Sequence, residues 1–328
     1  RTLTFTFTEG APVGVRGAAV SRDDGATWTW ESGQVFTEDS FTHTFGPGEH
    51  TLRFSFGMPY TAAHWNRFLA SLGTRPGARP EVLCTSRKGR PVEMLRLEDP
   101  ASSGARFLAV VTCRHHCCEM MANNVLEGLI EAFLADDACG RRLRRTLSLL
   151  AVPFVDKDGV EDGDQGKNRV PRDHGRDYDD KPIYPETKAV RDLIAQARGG
   201  RELIGIDLHC PWIRGEWNEL IYQVGCSGAA AWEAQQRFGA ALEKARTGPL
   251  PYTVASNLPF GAAWNTGSNY SQGRGFSKWV SGLPRVALAT SFEIPYANAA
   301  GAEVTAASAR AFGCDLARAL DHFLGATQ

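Results

Sequence analysis

The sequence predicts an α/β protein with a mixed, largely parallel sheet flanked by helices, preceded by a small antiparallel β-sandwich. Three observations carry this. Residues 1–58 alternate polar and apolar side chains with period two; from Pro59 the period turns helical; and from there short apolar runs alternate with amphipathic stretches to the end of the 328 residues. At 43% hydrophobic residues, the chain can bury one large core and one small one. The expected division is a sandwich domain at 1–58 and a second domain at 59–328.

Within the first segment, Leu3-Thr-Phe-Thr-Phe-Thr8, Thr27-Trp-Thr-Trp30 and His50-Thr-Leu-Arg-Phe-Ser-Phe56 read as strands. Asp23-Asp-Gly25 and Gly46-Pro-Gly48 supply turns. Tyr60 to Leu72 is helical, with Thr61 as N-cap and Gly73 beyond the last turn. Further strands are expected at Glu81–Ser86, Met94–Leu97, Phe107–Thr112, Ser148–Pro153, Leu203–His209 and Val286–Phe292. Helices are expected at about 120–135, 186–198, 229–245 and 303–324. Alternation of this kind puts helices on both faces of the sheet, and sites in such sheets lie at the carboxyl ends of the strands.

Composition narrows the function classes. A formal net charge of -1 gives no global field for nucleic acid or an anionic membrane. No apolar run reaches the length of a bilayer span, and Arg1-Thr-Leu-Thr4 has no signal-peptide core. Eight scattered cysteines, several inside apolar strands, look like reduced thiols in a cytoplasm; a leader removed ahead of Arg1 is the alternative. Nothing in the pattern speaks to oligomeric state.

The chemistry concentrates in Cys113-Arg-His-His-Cys-Cys-Glu119, which follows a buried strand and opens into a helix. An imidazole and a carboxylate three residues apart at such a turn, His116 and Glu119, suit a cation such as zinc. His209, at the polar end of Leu203-Ile-Gly-Ile-Asp-Leu-His209, is the candidate third ligand for one Zn2+ ion. One coordination position would stay open, as a catalytic site needs. Two other arrangements compete. His115 could replace His116, although it reads better as a supporting or packing residue, and Cys113, Cys117 and Cys118 could bind zinc as thiolates without the usual CxxC spacing.

The order of these motifs resembles the M14 zinc metallocarboxypeptidases. HxxE is followed by a basic loop, a strand ending in His209, a tyrosine loop, and a late strand ending in Phe292-Glu293. Likeness to the cytosolic carboxypeptidase branch lies in Phe54-Ser-Phe-Gly-Met-Pro-Tyr-Thr61, Leu126-Glu-Gly-Leu-Ile-Glu-Ala-Phe-Leu134, Val152-Pro-Phe-Val-Asp-Lys-Asp-Gly-Val160 and Ile183-Tyr-Pro-Glu-Thr-Lys188. The resemblance implies a zinc carboxypeptidase-like fold and hydrolysis of a C-terminal residue, an acidic one by likeness to that branch, from a peptide by zinc-activated water. Glu293 falls at the general acid/base, Arg169 at the oxyanion-stabilising arginine, and Arg176 at the arginine that binds the substrate carboxylate. Arg172 is the neighbour with which either could exchange in a loop holding three arginines. Tyr270 matches the mobile tyrosine that closes over substrate; Ser277 and Lys278 fall where the side-chain pocket lies. Two departures stand out: Gly175-Arg176 replaces Asn-Arg, and His-Cys-Cys-Glu replaces His-Pro-Gly-Glu.

Two other function classes stay open at this point. One is a related zinc amidohydrolase acting on an N-acyl amino acid or cell-wall peptide, which Gly175 invites. The other is a non-catalytic peptide-binding module, which would require the loss of a ligand or base that this chain retains.

Overall fold

The computed structural model describes residues 1–99 and 104–325. Six strands come first: β1 (Thr2–Thr6), β2 (Ala19–Ser21), β3 (Thr29–Trp30), β4 (Val35–Phe36), β5 (Ser40–Thr44) and β6 (Arg53–Ser55). They pair antiparallel into two three-stranded sheets, ordered β1-β5-β4 and β3-β2-β6. Alternation points one set of rings inward: Phe5 and Phe41 lie opposite each other in register with centroids 4.9 Å apart, and Phe54 of the other sheet sits 5.2 and 5.0 Å from them. That aromatic trio joins the sheets.

Helix α1 (Ala62–Leu72) starts at Thr61, whose side chain and that of His64 satisfy each other's backbone N–H groups. It stops at Gly73, where φ of +60° suits glycine. There follow β7 (Ala78–Thr85), β8 (Pro91–Leu97), β9 (Phe107–Cys113), α2 (Met121–Leu134), α3 (Ala138–Thr146), β10 (Leu147–Val152), α4 (Lys157–Asp162), α5 (Pro185–Ala197) and β11 (Glu202–His209). The chain finishes with β12 (Tyr222–Val224), α6 (Ala229–Ala245), α7 (Phe276–Ser281), β13 (Val286–Glu293), β14 (Asn298–Ala299), β15 (Ala302–Glu303) and α8 (Ala306–Gly325).

Seven strands make the large sheet, in the order β12-β13-β11-β9-β10-β8-β7. The central four, β13, β11, β9 and β10, are parallel, while the edge pairings β12–β13, β8–β10 and β7–β8 are antiparallel. Period two sends Phe107, Ala109 and Val111 of β9 to one apolar cluster and Leu108 and Val110 to the other. Both faces are covered, so β9 is apolar at every position from Phe107 to Val111. Glycines set the closest helix contact: a Cβ on Gly128 of α2 would overlap the carbonyl oxygen of Arg310 on α8, and one on Gly313 would overlap that of Val125.

The unexpected elements are short or polar. Helix α3 buries only Gly140 and Leu143 and depends on Asp137, whose carboxylate accepts from Gly140 N–H at its start. Helix α4 has a like cap in Asp156, and β12 has three residues, too few for alternation to register. The last helix starts at Ala306 rather than 303 because Ala302–Glu303 pairs with β14.

Candidate active site

Strand register brings the chemistry together. His209 and Glu293 are direct partners across β11 and β13, and Leu208 pairs with Cys113 at the end of β9. Three parallel strands therefore release His116, His209 and Glu293 at one edge. The turn after β9 is held by Arg114, whose φ is +63° and whose buried guanidinium donates to the carbonyls of Cys117 and Tyr60 and to Asn123 Oδ1. Such a conformation in a non-glycine residue persists only where surrounding bonds fix it.

Glu119 stands between the two imidazoles. Its oxygens lie 2.9 Å from His116 Nδ1 and 2.7 Å from His209 Nδ1, and a ligand atom from each of the three lies within 4.8 Å of the others. Each imidazole has a carboxylate on its far side: Asp207 Oδ2 is 2.7 Å from His209 Nε2, and Asp173 Oδ1 is 3.5 Å from His116 Nε2. Burial alone would raise the Glu119 pKa, but Lys167, His116 and His209 outweigh it and hold the carboxyl well below its usual range.

A second potential group, His115, Asp207 and His209, shares one residue with the first. His115 uses both ring nitrogens, at 2.8 Å from Asp207 Oδ1 and 2.7 Å from the Tyr178 hydroxyl, and it is fully buried behind the cavity wall. The thiols turn elsewhere: Cys117 donates to the Asp164 carbonyl, Cys113 toward that of Ala122, and Cys118 meets Tyr296. Among the described residues, neither metal-competent group includes a cysteine.

The cavity over this edge has a volume of about 300 Å³ and is lined by His116, Glu119, His209 and Glu293 together with Arg176, Tyr270, Ser277 and Lys278. Glu293 is buried, and its Oε2 has no hydrogen-bond partner. Burial lifts its pKa to about 7, with the nearby His209 opposing and the Glu119 charge adding to the rise. Tyr270 donates to Asn265 Oδ1 at 3.0 Å, and the Arg176 guanidinium lies 4.8 Å from the centre of its ring. Lys278 Nζ sits 3.0 Å from that ring centre and 4.3 Å from Phe260's. Ser277 shares a 2.7 Å hydrogen bond with Ser291.

Two arginines fall outside. Arg169, expected over the reacting centre, turns into a separate cavity, where Asp156 Oδ2 holds its Nε and Nη2 at 3.0 and 2.5 Å and Asp164 its Nη2 at 3.1 Å. Arg172 is bound to Asp177 Oδ1 at 2.6 Å and to the Lys181 carbonyl, also away from the cavity wall. The cation beside the histidines is instead Lys167, its Nζ 2.9 Å from Glu119 Oε1. The motif spacing could not single it out; the available signal was one more basic residue, beside Asn168, in the loop of three arginines.

The family model described as zinc carboxypeptidase, Peptidase M14, matches residues 66–219. This part of the chain is thus similar to the M14 zinc carboxypeptidase family. Among curated relatives, mouse cytosolic carboxypeptidase 3 is 26% identical over 208 residues, covering 61% of this chain and 20% of its own length. Zebrafish cytosolic carboxypeptidase 2 is 24% identical over 211 residues, 61% of this chain and 27% of that one. The matched part is thus about a fifth to a quarter of these relatives. Two solved structures share the fold over the whole chain: a metallo-carboxypeptidase from Burkholderia cenocepacia (TM-score 0.78, 20% identity, 86% of that chain) and one from Pseudomonas aeruginosa in complex with (2-guanidinoethylmercapto)succinic acid (TM-score 0.76, 23% identity, 87% of that chain). Among the described residues no helix is long and apolar enough to cross a membrane.

Proposed function

We propose that this chain is a zinc metallocarboxypeptidase that removes a C-terminal residue, preferably an acidic one, from a peptide. One observation carries the reading: the three-residue group, a glutamate with an unpartnered oxygen and three basic side chains share a single cavity. Zinc fits the donors. His116, Glu119 and His209 would hold it, since both Nδ1 atoms face Glu119, while Asp207 bonds His209 Nε2, fixing that tautomer and raising basicity, and Asp173 lies 3.5 Å behind His116 Nε2. When bound, the ion supplies a Lewis acid that polarises a carbonyl and acidifies water.

The protein's own groups supply the rest. Glu293 takes the proton of the attacking water and delivers it to the leaving amine, a task matched to a carboxyl titrating at about 7. Lys167 offers its ammonium to the oxyanion in place of Arg169. Arg176 receives the terminal carboxylate, and Tyr270, packed against it, covers the substrate. Lys278 faces the side chain, above the small Ser277.

Gly175 favours a second reading, an amidohydrolase with no terminal-carboxylate requirement: a Cβ there would come 2.9 Å from His116 Nε2, so no asparagine fits beside Arg176 without a shift. Mass spectrometry of peptides with free and amidated C-termini separates the two. Loss of one residue from free termini alone supports the carboxypeptidase, and equal cleavage of both supports the amidohydrolase.

A further inference from the structure

Two loops leave the catalytic edge, and the first of them lines the cavity. One follows His209 of β11 through Pro211, Trp212, Ile213 and Arg214; the other follows Glu293 of β13 into β14 and β15. Between them sits a turn of the N-terminal sheets, residues 13–17, closed by a hydrogen bond from Gly17 N–H to Gly14 O at 3.1 Å.

Arginines cross this junction in opposite directions. From the first loop, Arg214 donates to Val13 O at 2.7 Å and Gly14 O at 3.3 Å, and the Ile213 side chain lies against Gly14. From the turn, Arg16 donates to Ala297 O at 3.0 Å and Asn298 Oδ1 at 3.3 Å, and it pairs with Glu303 at 3.6 Å. The loops are also tied directly, because Glu219 accepts from Ala300 N–H at 2.7 Å and from the Asn298 amide. The ring of bonds is complete from loop to turn to loop.

The first loop carries Trp212, one of two tryptophans at the cavity mouth. Trp212 lines the cavity while 67% exposed, and Trp264, also lining it, is 37% exposed. Lys167 Nζ lies 5.6 Å from the Trp212 ring centre, so the indole borders the proposed reacting centre beside Lys167, whereas Arg176 and Lys278 both pack on Tyr270. A large exposed aromatic on a cavity rim is a surface to be covered by ligand.

We infer that the N-terminal turn, through Arg214 and Arg16, positions Trp212 to bind the part of a peptide that precedes the scissile bond. The inference rests on the carboxypeptidase reading for the identity of the ligand; the positioning of the rim does not depend on it.

The test compares a hexapeptide with an N-acyl amino acid carrying the same C-terminal residue, using the zinc-loaded full chain and variants Trp212→Ala, Arg214→Ala, Arg214→Lys and Arg16→Ala. The hexapeptide-to-acyl ratio of kcat/KM is expected to fall about tenfold in Trp212→Ala and Arg214→Ala, through KM rather than kcat. Arg214→Lys, which keeps one donor for Val13 O, should recover most of it. Amide hydrogen exchange over residues 211–219 should quicken in Arg214→Ala and Arg16→Ala. If exchange there stays at the wild-type rate, the positioning role is rejected whether or not the chain is a peptidase. Faster exchange with an unchanged ratio rejects the Trp212 subsite. A wild type inactive on both substrates rejects the carboxypeptidase reading instead, and weaker hexapeptide binding by Trp212→Ala in calorimetry then decides the subsite. Should Arg214→Ala fail to fold, Arg214→Lys and Trp212→Ala carry the same comparison.

Discussion

Lys167 and Arg169 are two residues apart, yet one faces the histidines and the other is held by Asp156. Exchanging each for methionine should therefore have opposite outcomes: Lys167→Met is expected to lower kcat about 10²-fold or more through lost oxyanion stabilisation, whereas Arg169→Met should leave kcat near wild type and lower stability. Steady-state kinetics with thermal melts measures both, and a large kcat loss from Arg169→Met alone would return the role to the arginine. His116, Glu119 and His209 were readable because each ends a strand or opens a helix, where a short pattern fixes direction. Lys167 was not, because a loop without periodicity leaves each residue's direction to tertiary contacts. Lys278 adds a pH signature. Burial pushes its pKa down to about 8, so its charge is present below that pH and lost above it. If Lys278 recognises an acidic side chain, the ratio of kcat/KM for C-terminal glutamate over alanine should fall as pH rises through about 8, and Lys278→Met should flatten the profile. A preference that is constant from pH 7 to 9 counts against this residue.

At the scale of elements, periodicity was a sound guide wherever packing enforced it. Strands β9, β11 and β13 are buried on both faces, so almost any polar residue at their ends marked a departure from packing. Helix α3 was illegible because its stability comes from a cap and from Leu143 rather than from an apolar stripe. The contact between α2 and α8 was equally hidden, since Gly128 and Gly313 resemble helix-weakening glycines until the partner backbone is seen. In isolation, alanine at either position would favour a helix by about 1 kcal/mol. Here the added methyl meets a carbonyl of the facing helix, and the overpacking should cost about 1–3 kcal/mol. Gly128→Ala is therefore expected to melt below wild type and Gly128→Ala/Gly313→Ala lower still, without a change in KM, because neither glycine lines the cavity. A gain in melting temperature would show that the helices separate freely.

At the scale of the whole molecule, the sheet gathers Glu119, Asp207, Asp173 and Glu293 at one buried edge, an arrangement that costs stability unless positive charge compensates. The histidines and Lys167 offset part of it. A divalent cation held by His116, Glu119 and His209 would offset more, and binding to the folded state alone stabilises by about 4 kcal/mol at a thousandfold excess over Kd. Zinc should therefore raise the melting temperature, chelation should lower it, and the difference should vanish in His116→Ala/His209→Ala. Glu293→Gln separates holding from reacting. The amide cannot accept a proton, so kcat should drop by about 10²–10⁴-fold, while the zinc-dependent rise in melting temperature and the one-to-one metal content persist, because Glu293 is not in the three-residue group. Calorimetry with elemental analysis reads both quantities on the same samples. A zinc effect that survived loss of both histidines would move the metal elsewhere, and near-normal turnover in Glu293→Gln would take the proton transfer away from Glu293.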